Sequence, residues 1–222
     1  MEEKITLICT SLNPDLELLD KMIDSAKGFD AVVLNIDRAS KVFYGRNGYK
    51  EPKVHHVGTF ESLSIPNAYN WMIQEYVKTE WICCMCDDDY FYPEGLSKMI
   101  AEVHKGIDAD VAHFKFRISG YMPPQDKRGR ILQLLTGKSE YILCERGNVA
   151  DQLAKGHNRL PAGSFFRKSA WGKVNGYQGD KCHDHDLWHR MSKAGCRFKY
   201  FDHLTYNYVR RDKSAWVKQN GH

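Results

Sequence analysis

A chain of 222 residues, 42% hydrophobic and 27% charged, is long enough to bury one sizeable core. Its 32 Lys+Arg against 28 Asp+Glu give a formal net charge of +4, too mild a balance to indicate nucleic acid by itself. No run of ~18 apolar residues offers a membrane span, and Met1-Glu2-Glu3-Lys4 lacks the basic-then-apolar pattern of a secretion signal. The expectation is a cytoplasmic protein with no integral membrane segment.

In chain order, Lys4 to Cys9 reads as a short apolar strand. Thr10-Ser11-Leu12-Asn13-Pro14 breaks it, and Asp15 can start a helix on which Leu16, Leu19, Met22, Ile23 and Ala26 share one face. Gly28 is read as its end. Ala31 to Ile36 is a second strand with Asp37 at its tip. Residues Arg38 to Lys53 carry breakers and no period, so they read as a loop, and Val54 to Val57 as a short strand. Ile65 to Val77 reads as a helix. Trp81-Ile82-Cys83-Cys84-Met85-Cys86 is an uncharged apolar and thiol run, the mark of a strand buried on both faces. Asp87-Asp88-Asp89 follows directly. Pro93 suits the first turn of the next helix, which runs to about Lys105.

This alternation predicts an α/β fold: one domain, a mostly parallel central sheet and flanking helices. Asp37 and the Asp87–Asp89 cluster then lie along the same sheet edge, where open α/β sheets bind ligands. Three adjacent carboxylates repel one another. A hard divalent cation, magnesium or manganese, satisfies them, whereas helix capping needs only one carboxylate. There is no glycine-rich phosphate loop. The seven cysteines (Cys9, Cys83, Cys84, Cys86, Cys144, Cys182 and Cys196) read as reduced thiols filling the core. Cys83 points away from Cys84 and Cys86 on a strand, which disfavours structural zinc there.

Beyond the strand Val111 to Ile118, the stretch from Gly120 to about Gly147 holds Pro123-Pro124 and the basic run Lys127-Arg128-Gly129-Arg130, and reads as a flap or acceptor-binding insert. Ser169 is expected to cap a short helix. Cys182 to Ala194 reads as a helix with Leu187, Met191 and Ala194 on its apolar face and Gly195 as its cap. Phe198 to Phe201 is a last strand, followed by a basic, aromatic tail.

The chain resembles an inverting, GT-A-fold glycosyltransferase of the large family two, over about Ile5 to Ser214. Ile5 to Ser11 resembles that family's first strand and nucleotide-contacting turn, with Thr10 and Ser11 in the pocket. Asp37 falls where the family keeps an aspartate near the base. Ile65-Pro66-Asn67-Ala68-Tyr69-Asn70 resembles its Ala-Arg-Asn helix start, with Tyr69 in place of the arginine. Asp87-Asp88-Asp89 resembles the Asp-x-Asp metal motif, and Asp184-His185-Asp186-Leu187-Trp188-His189-Arg190 the segment that supplies the base, with His183 replacing a glutamate.

The resemblance implies a donor half over 1–118 and an acceptor and base half over 119–222. It implies Mn2+ or Mg2+ as cofactor, held by Asp87 and Asp89, with Asp212 as a substitute for the family's late histidine. Asp184 is the implied base. Asn67, Asn70, Asp87, Asp88 and Asp186 would contact substrate, Gly163 and Ser164 the acceptor, and Arg210 and Arg211 the diphosphate of a nucleotide-diphosphate sugar. The acceptor would be a hydroxyl on a glycan or a modified DNA base.

Two other classes fit parts of the sequence. His185-Asp186-Leu187-Trp188-His189 imitates a zinc-hydrolase helix, with His183 or His203 as a third ligand, but leaves the triple aspartate unexplained. The basic loop Lys127–Arg130 and the tail Arg210-Arg211-Asp212-Lys213 with Trp216 suit a non-catalytic nucleotide-sugar or nucleic-acid binding module.

Overall fold

The computed structural model describes residues 3–36, 54–57, 63–121, 126–136, 138, 140–143, 148–179 and 183–211. Asp37 and Asp212, two of the expected site residues, lie outside them, as do Cys144 and Cys182.

The first half follows the sequence pattern. Strand β1 (Ile5–Ser11) pairs in parallel with β2 (Ala31–Ile36) on one side and β4 (Trp81–Met85) on the other, and β2 pairs with β3 (Val54–Val57). Helix α1 (Leu16–Ser25) starts at Asp15, whose carboxylate accepts from the amides of Glu17 and Leu18. It stops at Ser25, short of the expected Gly28. Helices α2 (Ile65–Glu75) and α3 (Pro93–His104) each carry proline in the first turn. Between β4 and α3 lies β5 (Tyr90–Phe91).

The second half departs from the reading. The stretch after strand β6 (Val111–Gly120), read as a flap or acceptor-binding insert, contains α4 (Lys127–Thr136) and β7 (Glu140–Leu143), which pairs back onto β6. Helix α5 (Val149–Ala154) is capped by Asn148. Strand β8 (Phe165–Arg167) runs antiparallel to β4 and β6. The Ser169 hydroxyl donates to Glu80 instead of capping α6 (Lys168–Lys173), which starts one residue earlier. Helix α7 (His183–Lys193) leads into β9 (Phe198–Arg210), far longer than the expected four residues.

The sheet order is β3-β2-β1-β4-β8-β6-β9-β5, with β7 also on β6. Its long ladders are parallel. One face packs on α1 and α3 through Leu19, Met22, Leu96 and Met99. The other packs on α2, α6 and α7 through Met72, Ile73, Trp171, Leu187 and Trp188. The ladder between β6 and β9 slips twice: Phe114 faces Phe201, Lys115 faces Leu204 and Phe116 faces Tyr206. The extra residues bend β9, and α3 crosses the bend so closely that a Cβ on Gly95 would meet the Leu204 carbonyl oxygen at 2.1 Å. Beyond the bend, β9 delivers Tyr206, Val209 and Arg210 to the sheet edge where β4 ends.

Candidate active site

At the carboxyl end of β4 the chain turns through Cys86, Asp87, Asp88 and Asp89. Alternation fails in a turn, so these side chains fan out in different directions. Asp87 receives the hydroxyl of Ser11, from the end of β1. Asp88 is reached by the Arg211 guanidinium, Nε at 2.8 Å. Asp89 is 1% exposed and accepts from the Tyr206 hydroxyl and, at 2.8 Å, from the Val209 amide.

Burial, with Asp88 beside it, pushes the Asp89 carboxyl well above the usual range, against the two donors from β9. Burial also raises Asp88, opposed by Arg211. The Cys86 thiol is driven up by loss of water and then by the three carboxylates.

The Sγ of Cys86 and carboxylate oxygens of Asp88 and Asp89 lie within 4.8 Å of one another. These three side chains could hold a divalent cation. The set differs from the expected pair: Asp89 is in it, but Asp87 is turned to Ser11, and Cys86, read from sequence as core filler, joins it.

Around this centre, Thr10 accepts from the Asn35 amide at 3.0 Å, linking the ends of β1 and β2. Asn67 is exposed on the first turn of α2. Tyr69 is buried and donates to the Met85 carbonyl at 3.0 Å, which fixes α2 against the end of β4. Asn70 serves the fold: its amide donates to the Tyr177 carbonyl, and its oxygen accepts from the Tyr177 amide and the Trp171 indole. Ser164 is buried, with its hydroxyl on the Pro161 carbonyl. Gly163 packs under Tyr206, where a Cβ would come 2.5 Å from the ring.

The start of α7 faces the same edge. The His183 ring lies 6.0 Å from that of Tyr69 and 5.9 Å from that of Tyr177. Asp184 is half-buried, with Asn158 Nδ2 3.4 Å from its carboxylate. Burial, then the charge of Asp89 and more weakly that of Asp184, push the Tyr208 hydroxyl up. Asp186 is held by Arg190, its i+4 partner, at 2.7 Å. Arg210, expected at the diphosphate, is 7% exposed and pairs with Asp126.

His185 and His189 stack 6.3 Å apart. Among the described residues neither belongs to a group of three metal-ligating side chains, so the third ligand of the zinc-hydrolase reading is not brought to them. Sequence reasoning missed Cys86, Tyr206, Val209 and Asn158. The aromatic alternation Tyr206-Asn207-Tyr208 was the available signal for a strand rather than a tail.

No protein-family model matches the chain, and no curated protein matches it in sequence. Solved structures do. The 1–349 portion of S. aureus TarS in complex with UDP-GlcNAc superposes with a TM-score of 0.67 at 14% identity, covering 95% of this chain and 60% of that one. The same portion in complex with UDP gives 0.60 at 13% identity, with 94% and 61% covered. A longer TarS structure gives 0.64 at 12% identity, with 95% and 37% covered. The chain thus spans about 60% of the length of the TarS 1–349 structures. At these identities the likeness is one of fold: the α/β, GT-A-type arrangement of a mixed, mostly parallel sheet between helices that the sequence predicts.

Proposed function

We propose that this chain is a glycosyltransferase that moves a sugar, with inversion, from a nucleoside-diphosphate donor to an acceptor hydroxyl on a glycan or a modified DNA base. One observation carries the reading: Cys86, Asp88 and Asp89 cluster at the end of β4, and the first turn of α7, which carries Asp184, reaches that end through the His183 ring on Tyr69 and the Tyr69 hydroxyl on the Met85 carbonyl. The likeness of fold to a protein solved with UDP-GlcNAc and with UDP supports a UDP-linked donor.

Cys86, Asp88 and Asp89 would hold the divalent ion, manganese or magnesium by the chemistry of the two carboxylates. Such an ion supplies positive charge beside a departing diphosphate. Arg211, with its side chain 42% exposed, is free to lean from Asp88 toward the same phosphates. Asp87, oriented by Ser11, is set for the ribose, and the resemblance in sequence assigns Thr10 and Asp37 to the same nucleoside. Asp184 takes the proton from the attacking hydroxyl, steadied by Asn158. Ser164 contributes through its backbone, since its hydroxyl is engaged.

The test is a panel of UDP- and GDP-sugars assayed for manganese-dependent release of nucleoside diphosphate, for the wild type and Asp89→Asn. Turnover of at least one UDP-sugar in the wild type, abolished in a folded Asp89→Asn, is the expected result. Full activity of the variant, or no nucleotide binding by calorimetry with any metal, would sink the assignment.

A further inference from the structure

The α4–β7 hairpin carries a surface that the proposed chemistry does not use. On α4, Ile131, Leu134 and Leu135 are 56%, 83% and 76% exposed. Their i, i+3, i+4 spacing puts them on one stripe. From 127 to 138 the sequence holds Lys127, Arg128, Arg130 and Lys138 and no acidic residue. Lys127, Arg128 and Lys138 are exposed around the stripe.

The helix is not loosely attached. Asp126, just before it, accepts from the Gly129 amide at 2.8 Å, from the Tyr141 hydroxyl at 2.7 Å and from Arg210 of β9. The Arg128 guanidinium lies 5.2 Å over the Tyr141 ring. The apolar stripe is therefore held outward by a buried anchor, with cations at both ends.

We propose that α4 is a docking element for an anionic phospholipid bilayer, lying in the headgroup layer with its leucines in the acyl boundary. Charge decides the occupant. A second copy laid on the stripe would bring two like-charged clusters together, at a cost, whereas an anionic leaflet complements them. Nucleic acid would satisfy the cations but not the leucines. Basic residues beside an exposed apolar stripe are the composition of interfacial helices, and this mode needs no spanning segment. Among the described residues no helix is long and apolar enough to cross a membrane.

The test is co-sedimentation of the full chain with vesicles of phosphatidylcholine alone, and of equal parts phosphatidylcholine and phosphatidylglycerol. The wild type is expected to partition onto the anionic vesicles and to be released by salt. Leu134→Ser with Leu135→Ser, and separately Lys127→Glu with Lys138→Glu, should each lower that partition by about tenfold or more. All four positions are exposed, so circular dichroism and thermal midpoints should match the wild type. The proposal is overturned if the wild type binds neither vesicle, or if both double variants bind as well as the wild type. It is also overturned if light scattering shows a dimer that the leucine changes dissociate, or if the chain prefers duplex DNA and only the lysine changes weaken it.

Discussion

Replacing Gly163 by alanine probes how closely the backbone ahead of β8 supports the buried carboxylate of Asp89. A Cβ there meets Cε2 of Tyr206 at 2.5 Å and Cδ2 at 2.8 Å, inside van der Waals contact. Tyr206 is fully buried, with the Phe91 ring edge-on at 5.4 Å, so it relieves the clash by sliding off Asp89. Overpacking of this kind costs about 1–3 kcal/mol. Tyr206→Phe keeps the ring and removes only the hydroxyl that donates to Asp89. It costs about 1 kcal/mol against a protonated carboxyl and about 1.5–3 kcal/mol against an ionised one. The two losses overlap, because in Gly163→Ala the hydroxyl has already been displaced. Tyr206→Phe should therefore cost less in that background than in the wild type, with a coupling of about 1 kcal/mol. Urea unfolding of the four proteins, in chelator and again in manganese, measures this. Costs that add within about 0.3–0.5 kcal/mol, or a Gly163→Ala as stable as the wild type, would refute the packing argument.

Asp184→Asn should keep donor affinity and lose about 10²–10⁴-fold in transfer rate, while His189→Ala stays active; a dead His189→Ala beside a healthy Asp184→Asn, with stoichiometric zinc by elemental analysis, would restore the hydrolase reading. Asn70→Ala strips three hydrogen bonds from the Trp171–Tyr177 turn and should lower stability by about 2–3 kcal/mol with donor affinity unchanged in calorimetry; a weakened affinity at full stability would return Asn70 to the substrate. Burial holds the His113 imidazole neutral and its pKa down at about 4. The unfolded chain takes up that proton below about pH 6.5, so His113 favours the fold above that pH, and about 3 kcal/mol is lost as pH falls toward 4. Urea midpoints at pH 7 and pH 4.5 should converge in His113→Leu, and a pH response equal to the wild type's would exclude this account.

The sheet core was legible because β1, β2 and β4 are short, uncharged and largely apolar runs, and Asp15 and Pro93 announce their helices with local chemistry. The acidic end of β4 could be read for the same reason: three charges abutting a buried strand have few uses. What escaped depends on contacts distant in sequence. Asp202 and His203 interrupt the apolar run after Phe201, so β9 looked finished where it only bulges. Cys86 resembled its buried neighbours Cys83 and Cys84, and only the turn that follows Met85 sets it among carboxylates. Arg210 looked like a phosphate ligand until the hairpin brought Asp126 to it. The sign and type of a side chain are local properties; its partner is not.

The bend in β9 also bears on how the protein is made. Asp87, Asp88 and Asp89 are synthesised early, but Tyr206, Val209 and Arg211, which compensate Asp88 and Asp89, are more than a hundred residues downstream. A nascent chain that has already paired β1, β2 and β4 therefore holds an unbalanced carboxylate cluster until β9 emerges and threads alongside β6. The donors to Asp88 and Asp89 arrive last, with β9, and a chain arrested before Tyr206 carries the first half of the fold with that cluster uncompensated.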